Sequence, residues 1–172
     1  MNNYIDVTTK WLDKSNKNIK IIKDAKYVYK NGKRYYVNNI NRIKHENREV
    51  ENAKWFINIF GGKLLYLPKI DENGGVSCSD YKYYFPDKNR GFFIDEKEIS
   101  GKSKKSFYHA LDGKEKQAKI FLIDCTKANY NVKEIYERLD LVFSYKETKY
   151  VEIVIIKNKN ELFGVFERKN KR

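Results

Sequence analysis

Two short runs rich in tyrosine and lysine flank Asn31-Gly32: Lys26-Tyr27-Val28-Tyr29-Lys30 on one side and Lys33-Arg34-Tyr35-Tyr36-Val37 on the other. Asn-Gly tolerates the positive φ angles of a two-residue turn, so this stretch predicts a β-hairpin. Over residues 41–60 the apolar positions Ile43, Val50, Ala53, Ile57 and Phe60 approximate helical spacing, and Gly61-Gly62 supplies a stop. Residues 64–67 read as a strand closed by Pro68, followed by a loop holding Gly74-Gly75. Residues 81–85 and 92–99 are the next strands, joined by the turn-rich Pro86-Asp87-Lys88-Asn89-Arg90-Gly91. A helix is expected over 104–118 with Phe107, Ala110, Leu111 and Ala118 inward. The succession Ile120-Phe121-Leu122-Ile123 within 119–125 predicts a strand buried on both faces. Residues 131–143 carry a helical stripe of Val132, Ile135, Leu139 and Val142, and 150–156 with 162–166 form a strand pair around Asn158-Lys159-Asn160. Residues 2–24, with lysines among Trp11, Leu12, Ile19, Ile21 and Ile22, read as partly helical or as a basic arm, and 168–172 as a basic tail.

These elements imply an α/β (α+β) protein with a mixed central sheet flanked by helices. At 172 residues the chain suits one domain, which we divide into a basic N-terminal extension with a hairpin (1–40) and an α/β domain (41–172). Hydrophobic content of 41% with 15% aromatics predicts a folded chain with an aromatic and β-branched core. The net charge of +13 points to a polyanionic partner, nucleic acid first, with salt-dependent binding. A compositional drift towards Lys, Asn, Ile and Tyr accounts for part of that charge without any ligand. No apolar run approaches a membrane span, and no amphipathic segment has a clean apolar face, so a membrane is not the expected partner. Cys78 and Cys125 form neither a CxxC pair nor a disulfide framework, which suits a reducing compartment and shows no zinc site. The start of the chain lacks a secretory leader pattern, so action in a cytoplasm is expected, with a non-classical delivery route left open.

Candidate chemistry lies between residues 80 and 117. If 92–99 is extended, Asp95 and Lys97 project from one face while Glu96 and Glu98 project from the other. With Asp80 on a neighbouring strand, two carboxylates suit a divalent cation, and Lys97 suits a water or the charge on a scissile phosphate. The plainer reading makes Asp95 and Lys97 the solvated side of an amphipathic strand. Gly101-Lys102-Ser103-Lys104-Lys105-Ser106 offers lysines, hydroxyls and backbone donors to phosphates. His109 and Gln117, eight residues apart, would lie towards one face of the expected helix, where His109 suits general acid or base work in a metal-free ribonuclease. Arg34 and Tyr35 of the hairpin suit phosphate contact and base stacking. A non-catalytic nucleic-acid-binding protein of a mobile element is the third reading.

The order helix, three strands, helix, strand, with Asp80 and Asp95-Glu96-Lys97 at the second and third strands, resembles the core of the PD-(D/E)XK nucleases. Together with Glu51 through Gly62, Leu64-Leu65-Tyr66-Leu67-Pro68 and Gln117-Ala118, it looks like the nuclease or toxin domains at the C-terminus of contact-dependent inhibition and phage-associated proteins. The resemblance implies a restriction-endonuclease-like αβββαβ core. It also implies magnesium or manganese held by Asp80, Asp95 and Glu51, with Glu49 and Glu46 as competitors for the helix acid. Lys97 becomes the catalytic lysine and Gln117 a polar residue facing the site, while Ser79 stands where the motif has proline. RNA, tRNA above all, or DNA would be the substrate, and an acidic immunity or antitoxin protein the partner.

Overall fold

The structure is a computed structural model, and it describes residues 2–30, 33–36, 46–68 and 79–169. In chain order the elements are β1 (Tyr4–Asp6), α1 (Thr8–Asp13), β2 (Asn16–Asp24), β3 (Tyr27–Lys30), β4 (Lys33–Tyr36), α2 (Asn47–Phe60) and β5 (Gly61–Tyr66). They continue with β6 (Tyr81–Tyr84), β7 (Phe92–Glu98), α3 (Ser106–Leu111), β8 (Ile120–Asp124), α4 (Val132–Ser144), β9 (Ile153–Asn158) and β10 (Glu161–Arg168). From α2 to β8 the expected order αβββαβ is present, and the α/β class is observed. The chain forms two compact units, residues 11–94 and residues 1–10 with 95–172.

In the unit 11–94, β2 runs parallel to β5, β5 antiparallel to β6, and β6 pairs with the first half of β7. The expected hairpin is seen as the antiparallel pair β3–β4, with Tyr27 opposite Tyr36 and Lys30 opposite Lys33. Its Asn31-Gly32 turn lies outside the described residues, as do His45, the Gly74-Gly75 loop and Cys78. Of residues 2–24, expected as partly helical or as a basic arm, α1 is helical, and 16–24 is a strand whose backbone pairs with β5 from Lys20 to Asp24, Ile22 opposite Leu64, after a register shift between Asn16 and Lys20. The core is aromatic as expected. Trp11 meets Phe60 and Phe85 at centroid distances of 5.6 and 5.0 Å, and Phe56 meets Tyr83 edge-on at 4.7 Å.

Helix α2 buries Glu49, Asn52, Ala53, Phe56, Ile57 and Phe60, whereas Val50, expected inward, is half-buried. Gly61 ends it at φ 64°, ψ −158°, a region that essentially only glycine enters, and its N–H donates to the Ile57 carbonyl. A β-carbon there would stand 1.9 Å from the Asn16 carbonyl oxygen. Helix end and strand pairing therefore meet at one point that has no room for a side chain. Gly61→Ala is expected to cost about 2 kcal/mol, read as a lowered denaturation midpoint with an unchanged m-value.

In the other unit the strand order is β1-β10-β9-β8. The pairs β1–β10 and β10–β9 are antiparallel, and β9–β8 is parallel with Asp124 opposite Lys157. A parallel neighbour requires a crossover, and α4 supplies it. Asn131 and Glu134 cap α4 reciprocally, the Asn131 side chain accepting from Glu134 N at 2.9 Å and the Glu134 carboxylate from Asn131 N at 2.8 Å. Its Ile135, Leu139, Val142 and Phe143 join Phe121, Ile123, Val154, Ile156 and Phe166 in the core. Val132, expected in the stripe, is 61% exposed because it stands in the first helical turn, and Arg138 is buried instead. Every residue of β8 is buried, as expected for a strand covered on both faces.

The expected helix 104–118 is shorter. It stops at Leu111 because Asp112 is extended and Gly113 takes φ 71°. The expected basic tail is also revised at its first residue, since Arg168 belongs to β10 and is half-buried. Among the described residues no helix is long and apolar enough to cross a membrane.

Candidate functional site

Strand β7 positions the candidate acid and lysine. Its alternation puts Asp95, Lys97 and Ile99 on one face, and Ile99 belongs to the apolar core shared with α3 and α4. Lys97 Nζ stands 2.5 Å from Asp95 Oδ2, with side chains 20% and 4% exposed. The same ammonium donates to Gln117 Oε1 at 2.9 Å. The ammonium is thus ion-paired with one carboxylate and donates to one amide, and its remaining donor capacity suits a ligand oxygen.

The truncated helix is what brings Gln117 there. After Leu111 the chain turns, Lys114 N donating to the Leu111 carbonyl at 3.1 Å and Gln117 N to the Lys114 carbonyl at 2.9 Å. The Tyr150 hydroxyl donates to the Leu111 carbonyl and holds this turn down. Burial pushes the Tyr150 hydroxyl up to about 12, with Glu115, Asp112 and Asp95 adding to the shift. Tyr150 is therefore a fixed donor at neutral pH.

His109 and Gln117 do not share a helix, so the helical-face argument linking them fails. His109 is exposed, its ring 5.3 Å from that of Tyr108. Glu96 is buried, and Glu98 pairs with Lys127 at 2.9 Å. Asp80 and Glu51 belong to the unit 11–94. Asp80 is half-buried ahead of β6, its carbonyl accepting from Leu67 N at 2.9 Å. Glu51 is exposed on α2, whereas Glu49 is buried and its carbonyl accepts from the Tyr81 hydroxyl at 2.7 Å. Arg34 and Tyr35 lie in β4, opposite Tyr29 and Val28. Lys102, Lys104 and Lys105 are exposed, as a phosphate-contacting segment requires.

Among the described residues no three His, Cys, Asp or Glu side chains group so that they could hold a metal ion. Those described residues supply no closed protein cage for a cation. An ion resting on Asp95 would take most of its coordination from water and phosphate oxygens, as magnesium commonly does.

Sequence reasoning missed a buried ion pair and a buried arginine. Asp124 and Lys157 form a pair at 3.1 Å with both side chains below 10% exposure. Burial alone would raise the Asp124 carboxyl, but the hydrogen bonds from Thr126 and the adjacent Lys157 ammonium outweigh it and hold the group below its usual value. Arg138 is 2% exposed and lies over the Tyr130 ring at 3.9 Å. Its spacing from Ile135 and Val142 marked an inward position on α4, a signal that an apolar-only pattern passes over. Cys125 is buried, and burial followed by the Asp124 charge pushes its thiol up to about 12, so it is no nucleophile at neutral pH.

The fold and this centre define an α/β domain with a braced acid–lysine pair on a strand of its sheet. Residues 89–162 match the family model of the contact-dependent growth inhibition CdiA C-terminal domain, so this part of the chain is similar to that toxin domain. The match runs from the approach to β7 into β10, takes in Asp95, Lys97 and Gln117, and leaves Asp80 and Glu51 outside. No curated protein and no solved structure matches the chain.

Proposed function

We propose that the chain is a toxin domain of the contact-dependent growth inhibition kind and that it cleaves phosphodiesters in nucleic acid, with RNA, and tRNA first, as substrate. The observation that carries this reading is the Lys97 ammonium held between Asp95 and Gln117 at 2.5 and 2.9 Å. A phosphodiester in reaction gathers negative charge on its non-bridging oxygens, and a positioned cation lowers that barrier. Asp95 and Gln117 fix where the Lys97 charge points, and its third N–H meets the phosphate oxygen. The resemblance to the toxin domain and the net charge of +13 support the same substrate class.

A magnesium or manganese ion, when bound, would neutralise phosphate oxygens and supply hydroxide, and Asp95 is the residue of this unit that would hold it. The ligand roles that the resemblance gives to Asp80 and Glu51 are tested separately by Asp80→Ala and Glu51→Ala. Purified protein is expected to cleave members of an RNA and DNA panel in magnesium, to stop in EDTA, and to recover with added magnesium or manganese. Cleavage that survives chelation and disappears in His109→Ala would replace this with the metal-free reading. The partner we propose is an acidic immunity protein, and the cytoplasm of a target cell is the place of action.

A further inference from the structure

The carboxyl ends of three strands meet at one edge of the unit that holds Lys97. Ile99 N donates to the Asp124 carbonyl at 2.8 Å, placing the end of β7 beside the end of β8. Cys125 N donates to the Lys157 carbonyl at 2.9 Å, placing the end of β8 beside that of β9. Ligands of open α/β sheets bind outside such carboxyl ends. Each of these strands runs into a basic segment: Lys102 and Lys104 come after β7, Lys127 after β8, and Lys159 after β9. Two acids at this edge, Glu98 and Asp124, are engaged by Lys127 at 2.9 Å and Lys157 at 3.1 Å, and the exposed Glu161, opposite Asn158, is a third. Among the described residues Lys102 Nζ meets only neutral groups, the Asn129 carbonyl at 3.3 Å and the Tyr130 ring at 5.1 Å. Among the described residues no ion pair engages Lys104 or Lys159, so the charge of the edge is turned outward.

A second observation points the same way. Beneath the edge, the Arg138 guanidinium donates to the Lys102 carbonyl at 2.6 Å, the Glu134 carbonyl at 2.8 Å and Ser106 Oγ at 3.2 Å, and stacks on Tyr130. All of these partners are neutral. Among the described residues no ion pair offsets this guanidinium, and in a poorly polarisable surrounding its field reaches the surface above it. Arg138 and the Tyr130 hydroxyl, which donates to the Gly101 carbonyl, also set the shape of the segment by drawing its carbonyls inward. The start of α4 is closed by its own capping box, so lysines rather than a helix end would meet an anion here. From this edge Lys105 leads to a half-buried aromatic pair, its Nζ 5.8 Å from the Tyr145 ring, which lies 4.6 Å from that of Tyr108. Cations in line with aromatic faces are the recognition chemistry of unpaired nucleic-acid strands, phosphates on the lysines and bases on the rings.

We infer that the rim formed by Lys102, Lys104 and Lys159, underlain by Arg138 and leading to Tyr108 and Tyr145, binds the single-stranded part of a nucleic-acid substrate. The inference deepens the nuclease reading and rests on it for the substrate class alone.

The test uses the full chain and a fluorescent, cleavage-resistant single-stranded oligonucleotide, as 2′-O-methyl RNA and phosphorothioate DNA, with anisotropy measured over a range of salt. Lys102→Gln/Lys104→Gln/Lys159→Gln is expected to weaken binding roughly tenfold and to reduce the slope of log affinity against log salt by about 2. Tyr108→Ala/Tyr145→Ala is expected to weaken it about tenfold with the slope unchanged. The charge-matched control Lys10→Gln/Lys119→Gln/Lys149→Gln, away from the carboxyl ends of β7, β8 and β9, should change affinity less than about twofold. Equal losses in both lysine triples, or none in the rim triple, would overturn the inference. A wild-type chain that cleaves while the rim variants bind and cleave normally removes the rim and leaves the nuclease reading. A chain that binds through the rim but never cleaves does the reverse.

Discussion

Lys97→Ala is expected to lower the rate of nucleic-acid cleavage about a hundred- to a thousandfold while binding of a cleavage-resistant oligonucleotide stays within about twofold. The size reflects the work of the ammonium. It is a single charge, 20% exposed, with its direction set by Asp95 and Gln117, so little else can take its place. Removing it also takes away the cation that faces a carboxylate only 4% exposed, and a loss of folding could then imitate a loss of catalysis. The double variant Asp95→Asn/Lys97→Met separates the two, since it removes both charges and keeps the side-chain volumes. It should melt near the wild-type temperature and remain inactive. Gln117→Ala, which frees the ammonium without removing it, is expected to cost about tenfold in kcat and little in binding, as befits a positioning residue. Single-turnover cleavage beside a thermal melt decides all three. A Lys97→Ala protein that folds and cleaves at the wild-type rate would remove the assignment of the site.

Arg168→Ala is expected to destabilise the protein by about 3 to 4 kcal/mol, the largest stability effect foreseen for a single side chain. Arg168 Nε donates to the Val151 carbonyl at 2.8 Å and Nη1 to the Phe143 carbonyl at 2.8 Å. Nη2 reaches the Thr148 carbonyl at 2.9 Å and the Val142 carbonyl at 3.2 Å. These acceptors belong to the end of α4 and the turn into β9, in residues that are themselves buried. A helix leaves its last carbonyls without internal partners, and a single planar guanidinium satisfies two of them here while binding the next turn. Lysine has one donor centre and cannot span four acceptors, so Arg168→Lys should recover less than half of the loss. Chemical denaturation with the m-value held constant measures both. A midpoint for Arg168→Ala within experimental error of wild type would show that water replaces the guanidinium without cost.

The candidate site was readable in part. The alternation along Phe92–Glu98 placed Asp95 and Lys97 on one face because a strand has a strict period of two. Gln117 was identified through the family resemblance, whereas the helix drawn to carry it does not extend that far. Gly113 at φ 71° breaks it, and a short apolar pattern with one glycine does not reveal whether that glycine is helical or left-handed. The aromatic core, the buried β8 strand and the β9–β10 pair followed from residues whose preferences and burial agree.

The charged residues inside the protein were the part that stayed hidden. Glu49, Arg138 and Lys157 read as polar and were assigned to no interior, yet each is less than a tenth exposed. Their burial is decided by partners distant in the chain: Asp124 for Lys157, and the loop carbonyl of Lys102 for Arg138. Arg168 was read as the first residue of a tail for the same reason, since nothing near it announces the four carbonyls that it joins.

By itself, then, the sequence determined the α/β class, the order of most elements, the positive charge and the common face of Asp95 and Lys97. These depend on local periodicity and on sums over composition, which need no knowledge of contacts. Only the tertiary structure decided that Gln117 meets Lys97, that 16–24 becomes a strand against β5, and that Arg138 underlies the lysine edge. Each of those depends on a contact between segments remote in sequence, and a polar group such as Arg138 enters the interior only where a partner is waiting for it.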